Sequence, residues 1–266
     1  MNVAQTYATE LREYAPIEYA GLWFYPLEVR HFALYQSAKP AMELLQASLP
    51  IRLARLSWAE CLAEMDAAAR AEGLPYTGFL TSFLHLLSVA LKIDAVKEPE
   101  RLLIVSDRET KRFKAVAVCQ KEQPVILNTK QLHDVRQILA EQNGYEIPGE
   151  NWNPELVRAQ QHLQQRNGGN GGTLDDLVAS VAAAMGRRTS EVWGWSLREF
   201  KSIDEAINRR ILFQLYATAE LSHAVKFKNG NPVPTWRYSS KGDLPAGFKS
   251  LKDLEAGSKG LLASKK

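Results

Sequence analysis

The chain has 266 residues, of which 45% are hydrophobic and 24% charged, so it can bury a substantial core and is not compositionally disordered. A mean hydropathy of −0.26 sets aside membrane-embedded and fibrous classes. With 33 basic against 30 acidic side chains the net charge is +3, too balanced for a protein built to coat nucleic acid.

The two cysteines, Cys61 and Cys119, lie far apart and form no CxxC pair, so neither a zinc site nor a disulfide framework is expected. Met1 to Glu13 alternates polar and apolar residues and lacks the pattern of a secretory leader. The longest apolar run, Gly78 to Ile93, is too short to span a bilayer and is interrupted by Thr81, Ser82, His85 and Ser88. These features predict a cytoplasmic chain with reduced thiols and no membrane contact.

In chain order, Ala15 to Pro26 clusters Trp23, Phe24 and Tyr25 between two prolines, which predicts an extended segment plugged into a core. Leu27 to Leu45 carries apolar residues at helical spacing, and Pro40 predicts a break into two short helices. Ser57 can cap a helix over Trp58 to Ala71 that closes at Gly73 and Pro75, and a further helix is predicted over Tyr76 to Ile93.

The pattern changes at Pro99. Leu102 to Val105 and Lys114 to Cys119 read as a β-hairpin around Asp107-Arg108-Glu109-Thr110, and Pro124 to Leu127 can add a third antiparallel strand. Asn128 or Thr129 then caps a helix over Gln131 to Gln142, which stops at Asn143-Gly144. Tyr145 to Trp152 is predicted as a loop and Glu155 to Gln165 as a polar helix entered through Pro154.

The low-complexity stretch Asn167 to Gly172 predicts a flexible connector. Thr173 caps a helix over Leu174 to Met185 that Gly186 ends. Phe200, Ile203, Ile207, Ile211, Leu215 and Ala219 then mark one long amphipathic helix running to about Val225. The tail after Asn229, with Pro232, Pro234 and Pro245, reads as irregular and basic. The expected fold is therefore mainly α with a small antiparallel β-sheet. The expected parts are a helical 1–98, a sheet-bearing 99–166, a linker at 167–172, a helical 173–228 and an irregular 229–266.

Little in the sequence carries chemistry. No strand precedes the glycines of 167–172 and no Lys-Ser or Lys-Thr follows, so they do not form a phosphate loop. His31, His85, His133, His162 and His223 never recur at i+3 or i+4, and HExxH and GxSxG are absent. His133 beside Asp134 resembles a dyad only in sequence, because adjacent helical residues point in different directions. Asp175-Asp176 and Asp204-Glu205 suit solvated or dipole-facing positions on helices. No catalytic residue, metal ligand or cofactor site is assigned, and the chain is expected not to be an enzyme.

Arg187-Arg188, Arg209-Arg210, Lys226, Lys228, Arg237 and Lys241 alternate with Trp193, Trp195, Phe227 and Trp236, a mixture that suits nucleic acid. Against that stand Glu191, Glu199, Asp204 and Glu205 in the same region, which would repel phosphates. Trp193 and Trp195 flanking Gly194 fit better as anchors of a helix start or of a partner groove.

Several stretches occur in a recognisable order: GLWFYPLEVRHF at Gly21 to Phe32, SLPIR at Ser48 to Arg52, and LHDVRQILAEQNGYEIPGENWNPEL at Leu132 to Leu156. TLDDLVASVAAAMG at Thr173 to Gly186, WSLREFKSIDEAINRRILFQLYATAEL at Trp195 to Leu221, Lys226 to Lys228 and Pro234-Thr235-Trp236 follow. From Gly21 to Trp236 the chain resembles phage tail-module proteins, the tail assembly proteins or tail assembly chaperones of long-tailed phages. It departs from them at Leu221 to Val225, which lacks the glycine found there, and at Thr235, which stands in place of a histidine.

The resemblance implies a non-catalytic role in tail morphogenesis in the host cytoplasm, holding tape-measure or baseplate components. The rival readings are a structural subunit retained in the virion tail or baseplate, and a nucleic-acid-binding module using the basic C-terminal region. Candidate partner contacts are Trp193, Trp195, Phe200, Ile203, Ile207, Ile211 and Trp236. The plainer account of the helical stripe among them is intramolecular core.

Overall fold

The computed structural model describes residues 3–46, 49–73, 78–119, 123–145, 147, 173–222 and 235. The predicted helix over Glu155 to Gln165, the connector Asn167 to Gly172 and nearly all of the tail after Asn229 lie outside these residues. The fold is mainly α with two small antiparallel sheets, and the chain divides into two compact units, Met1–Phe200 and Lys201–Lys266.

Unit 1 opens with two short helices, α1 (Val3–Thr6) and α2 (Ala8–Arg12). The aromatic stretch that follows folds on itself: β1 (Ile17–Tyr19) pairs antiparallel with β2 (Leu22–Phe24). The two-residue loop places Ala20 at φ 52° and Gly21 at φ 75°, the doubly left-handed turn whose twist matches paired strands. Ile17, Leu22 and Phe24 are fully buried, whereas Trp23 points outward and is 51% exposed, the period-two pattern of a half-buried hairpin.

A 3-10 turn at Val29–His31 leads into α3 (Phe32–Met42), which is one helix rather than the two expected from Pro40. Pro40 lies in the last turn, where only its own missing N–H is lost to the ladder, and tertiary contacts hold the end of the helix. Ala38, Ala41 and Met42 are buried there. The Arg136 guanidinium donates to the carbonyls of Met42 at 2.8 Å and Leu44 at 3.1 Å, and the Trp58 indole donates to Ala41 at 3.1 Å. Carbonyls without a helical partner are thereby satisfied from other elements.

A short α4 (Ile51–Ala54) precedes α5 (Trp58–Ala71). Ser57 and Glu60 form a reciprocal capping box at its start, a device worth about 1 kcal/mol. The predicted helix over Tyr76 to Ile93 is shorter in the structure, as α6 (Phe79–Ala90). Its first amides are capped from another helix: Asp66 of α5, buried, accepts from Phe79 N and Leu80 N, each at 2.9 Å. Trp58 meets Phe83 edge to face with centroids 4.8 Å apart, and the Arg136 guanidinium lies 4.9 Å from the Trp58 ring.

The second sheet has the order β3-β4-β5, from β3 (Leu102–Ser106), β4 (Phe113–Cys119) and β5 (Pro124–Asn128). Register aligns Ile104 with Val116 and Leu127, and Leu103 with Ala117 and Ile126. Val116, Val118 and Leu127 are buried on the side where β4 meets α5 and α7 (Thr129–Asn143). Between Val105 and Ser106 the register shifts so that Lys114 of β4 is the extra residue, and β3 stays unbroken.

Helix α7 starts at a capping box between Asn128 and Gln131 and ends at Gly144, whose φ of 68° is the left-handed conformation that glycine adopts without a Cβ clash. After the stretch outside the described residues, α8 (Leu174–Met185) begins at a Thr173–Asp176 capping box and stops at Gly186. A single turn, α9 (Thr189–Val192), comes before the long α10 (Leu197–Leu221).

Candidate functional site

The segment Phe24 to Arg30 is where unit 1 gathers its elements. Tyr25 N donates to Ala90 at the end of α6, and Leu27 N donates to the Asn143 side chain at the end of α7. Val29 N donates to Trp195 O, Arg30 N to Trp193 O, and Leu197 N returns the pairing to Leu27 O. A β-bridge between Glu28 and Ser196 completes this narrow antiparallel seam.

Trp193 and Trp195 are both half-buried, and their carbonyls are fixed in the seam. Ser196 Oγ accepts from Glu199 N at 3.1 Å and caps α10, and Phe200 is 6% exposed. Of the expected contact residues, the seam therefore assembles Trp193 and Trp195, and Phe200 belongs to the core of unit 1. Trp236 lies outside the described residues.

In unit 2, α10 carries Ile203 and Ile207 half-buried, while Ile211 is 55% and Leu215 61% exposed. These four recur at i+4 and share one helical face. Leu212 and Leu221 are exposed beside or beyond it. Leu215 stood in the periodic pattern but not among the expected contacts, and its exposure could not be read from periodicity, which locates a face without saying what covers it.

The conspicuous polar groups of unit 1 are engaged in holding the fold. Asn143, fully buried, accepts from Leu27 N at 2.7 Å through Oδ1 and donates to Leu139 O at 2.8 Å through Nδ2. Gln142 donates to Phe24 O at 3.0 Å. The Tyr35 and Tyr145 rings stack at 4.3 Å, with Tyr145 Oη donating to Tyr35 O and Tyr35 Oη to Gly144 O. Burial pushes the Tyr145 hydroxyl well above its ordinary pKa, so it stays protonated as a donor. Burial likewise pulls the Arg136 guanidinium down to about 10, still charged at neutral pH.

His133 and Asp134 serve different partners. Asp134 Oδ2 accepts from Tyr19 Oη at 2.7 Å, and His133 Nε2 sits 3.2 Å from the Gln137 amide. Asp176 is taken up by the Thr173 cap, which lowers its pKa, and Asp204 and Glu205 meet Asn208 and Arg209 one turn on. Within the basic series, Arg187 pairs with Glu191 and Arg209 with Glu205, each at 3.8 Å, while Lys226, Phe227, Lys228, Arg237 and Lys241 lie outside the described residues.

Burial raises the pKa of the Cys61 thiol, and the His31 imidazole is held below its usual pKa, first by burial, with an Nδ1 that lacks a hydrogen-bond partner. Among the described residues no group of three or more His, Cys, Asp and Glu side chains converges to hold a metal, and no helix is long and apolar enough to cross a membrane. Comparison with family models, curated proteins and solved structures finds no match.

Proposed function

We propose that the chain is a non-catalytic assembly factor of phage tail morphogenesis, a tail assembly chaperone that holds a helical segment of the tape-measure protein before the tail polymerises. The sequence resemblance from Gly21 to Trp236 supplies the class of process. The observation that carries the contact is the half-covered face of α10, where Ile211 and Leu215 expose apolar side chains one turn apart beyond the half-buried Ile203 and Ile207. Neighbouring exposed aliphatic residues on one helix face are the usual mark of a surface that a partner covers.

The spacing also specifies the kind of contact. A stripe advancing strictly at i+4 forms a ridge that interdigitates with a like ridge at a crossing angle of about −50°, whereas a coiled coil needs alternating steps of three and four. The occupant in this proposal is accordingly a helix crossing α10, not one wound along it.

Co-expression with the tape-measure protein of the same phage, followed by affinity capture, tests the reading. The wild-type chain should retain the tape-measure protein, and I211D combined with L215D should weaken capture at least about tenfold, as expected for charges placed in an apolar anchor. Because both residues are exposed, the thermal unfolding of unit 1 should be unchanged. Capture that is absent for wild type, or equal for both proteins, overturns the proposal. Retention in finished tails would instead favour a structural subunit.

A further inference from the structure

We propose that Asn143-Gly144 is a guarded deamidation site: the pair is inert while the end of α7 is closed, reacts when it opens, and in reacting prevents α7 from closing again. The chain holds four Asn-Gly pairs, starting at Asn143, Asn167, Asn170 and Asn229, and only the first falls within the described residues. A following glycine makes asparagine reactive because no side chain shields the glycine nitrogen and its backbone turns freely. That nitrogen, on losing its proton, attacks Asn143 Cγ. A C–N bond forms, the bond from Cγ to Nδ2 breaks, and Nδ2 leaves with a proton as ammonia. The cyclic succinimide then takes up one water. Cleavage of the ring at its bond to Cγ leaves aspartate, and cleavage at its bond to the main-chain carbonyl carbon leaves isoaspartate, with the chain rerouted through Cγ.

In the closed structure each reacting group is held away from the others. The nucleophile, Gly144 N, donates to Ala140 O in the last turn of α7. Asn143 Oδ1 accepts from Leu27 N at 2.7 Å, and the departing Nδ2 donates to Leu139 O at 2.8 Å. Asn143 is 0% exposed, so neither water nor hydroxide reaches its amide. Gly144 is exposed, and solvent meets the pair as soon as the side chain is released. Ring closure requires Gly144 N to leave Ala140 O and the amide to leave both its partners. That is a local opening of the helix end rather than a change of rotamer.

Neither product fits the closed site. Aspartate puts an oxygen where Nδ2 donates, so at neutral pH a carboxylate faces the Leu139 carbonyl out of reach of water. Isoaspartate lengthens the backbone between residues 143 and 144. The bond from Gly144 N to Ala140 O and the bond from Tyr35 Oη to Gly144 O, at 3.2 Å, both depend on the register that this insertion shifts. An opening that lasts long enough for the ring to close therefore becomes permanent.

Peptide mapping by mass spectrometry of the full chain, kept at alkaline pH in native buffer or in concentrated urea until product is measurable, tests the proposal. Conversion of Asn143 should be about a hundredfold slower in native buffer, the population left by an opening that breaks three hydrogen bonds. Y35F removes the bond to Gly144 O without touching a reacting atom. It should speed native conversion about three- to tenfold by enlarging the open population, and leave conversion in urea unchanged. N143D, which carries one product from the start, should melt below wild type or fail to fold. Native conversion less than about tenfold slower than in urea, a Y35F no faster than wild type, or an N143D midpoint equal to that of wild type overturns the proposal.

Discussion

Replacing Asn143 with Ala isolates one buried link between the end of α7 and the segment that joins the elements of unit 1. Asn143 is 0% and Leu27 1% exposed, so water cannot take over the hydrogen bond from Leu27 N to Asn143 Oδ1. The bond from Nδ2 matters less, because the Leu139 carbonyl already accepts the α7 ladder bond of a residue four positions on. The loss is therefore dominated by one buried N–H without an acceptor, about 1–3 kcal/mol, with a small addition for the vacated amide volume. Taking about 2–3 kcal/mol, and about 2–4 °C per kcal/mol for a cooperative unit of this size, the thermal midpoint should fall by about 4–12 °C. Differential scanning calorimetry measures the shift, and amide hydrogen exchange at Leu27, which should accelerate in N143A, assigns it to this bond. A midpoint within about 1 °C of wild type, or unchanged protection at Leu27, would refute the reasoning.

Two further predictions concern titration and thiol access. Burial holds His31 below its ordinary pKa in the folded state, so the unfolded chain binds that proton first. Stability attributable to His31 is thus fully present above about pH 6.5 and declines as pH falls toward the depressed folded value; H31Q should flatten the change in unfolding midpoint between pH 7.5 and 5, and an equal slope in both proteins would contradict the assignment. Cys61 is fully buried and its thiol is raised by burial, whereas Cys119 is half-buried, so a thiol-reactive dye should label Cys119 quickly and Cys61 only on opening of the core. Equal labelling rates would show that α5 is not packed as described.

Features set by local chemistry were legible in the sequence. Ser57, Asn128 and Thr173 cap the helices they precede, Gly144 and Gly186 end theirs, and the β-branched runs after Pro99 pair as a hairpin with a third strand. The extended segment expected over Ala15 to Pro26 folds into a hairpin whose turn uses Ala20 at φ 52° in place of the asparagine or aspartate that would announce it. Where expectation and structure differ, a distant partner decides the outcome. Pro40 is tolerated because Arg136, 94 residues away from Met42 in sequence, satisfies the end of α3.

The candidate site divides the same way. Periodicity locates the apolar face of α10 but not the depth at which each residue sits, so it does not separate Phe200, which is buried, from Leu215, which is exposed. Trp193 and Trp195 precede the start of α10, and their partner segment, Leu27 to Arg30, can be found only from backbone bonds spanning most of unit 1. The exposure of Leu103 and Ile104 had no signal at all, since an apolar strand reads the same in the centre of a sheet as at its edge.

Quantitative mass spectrometry of purified tailed particles, set beside the lysate in which they assemble, tests most directly the claim that this chain acts during tail assembly and then leaves. The account predicts a protein abundant in the lysate and absent from finished particles; a constant copy number per particle would contradict it and make the chain a structural subunit of the tail.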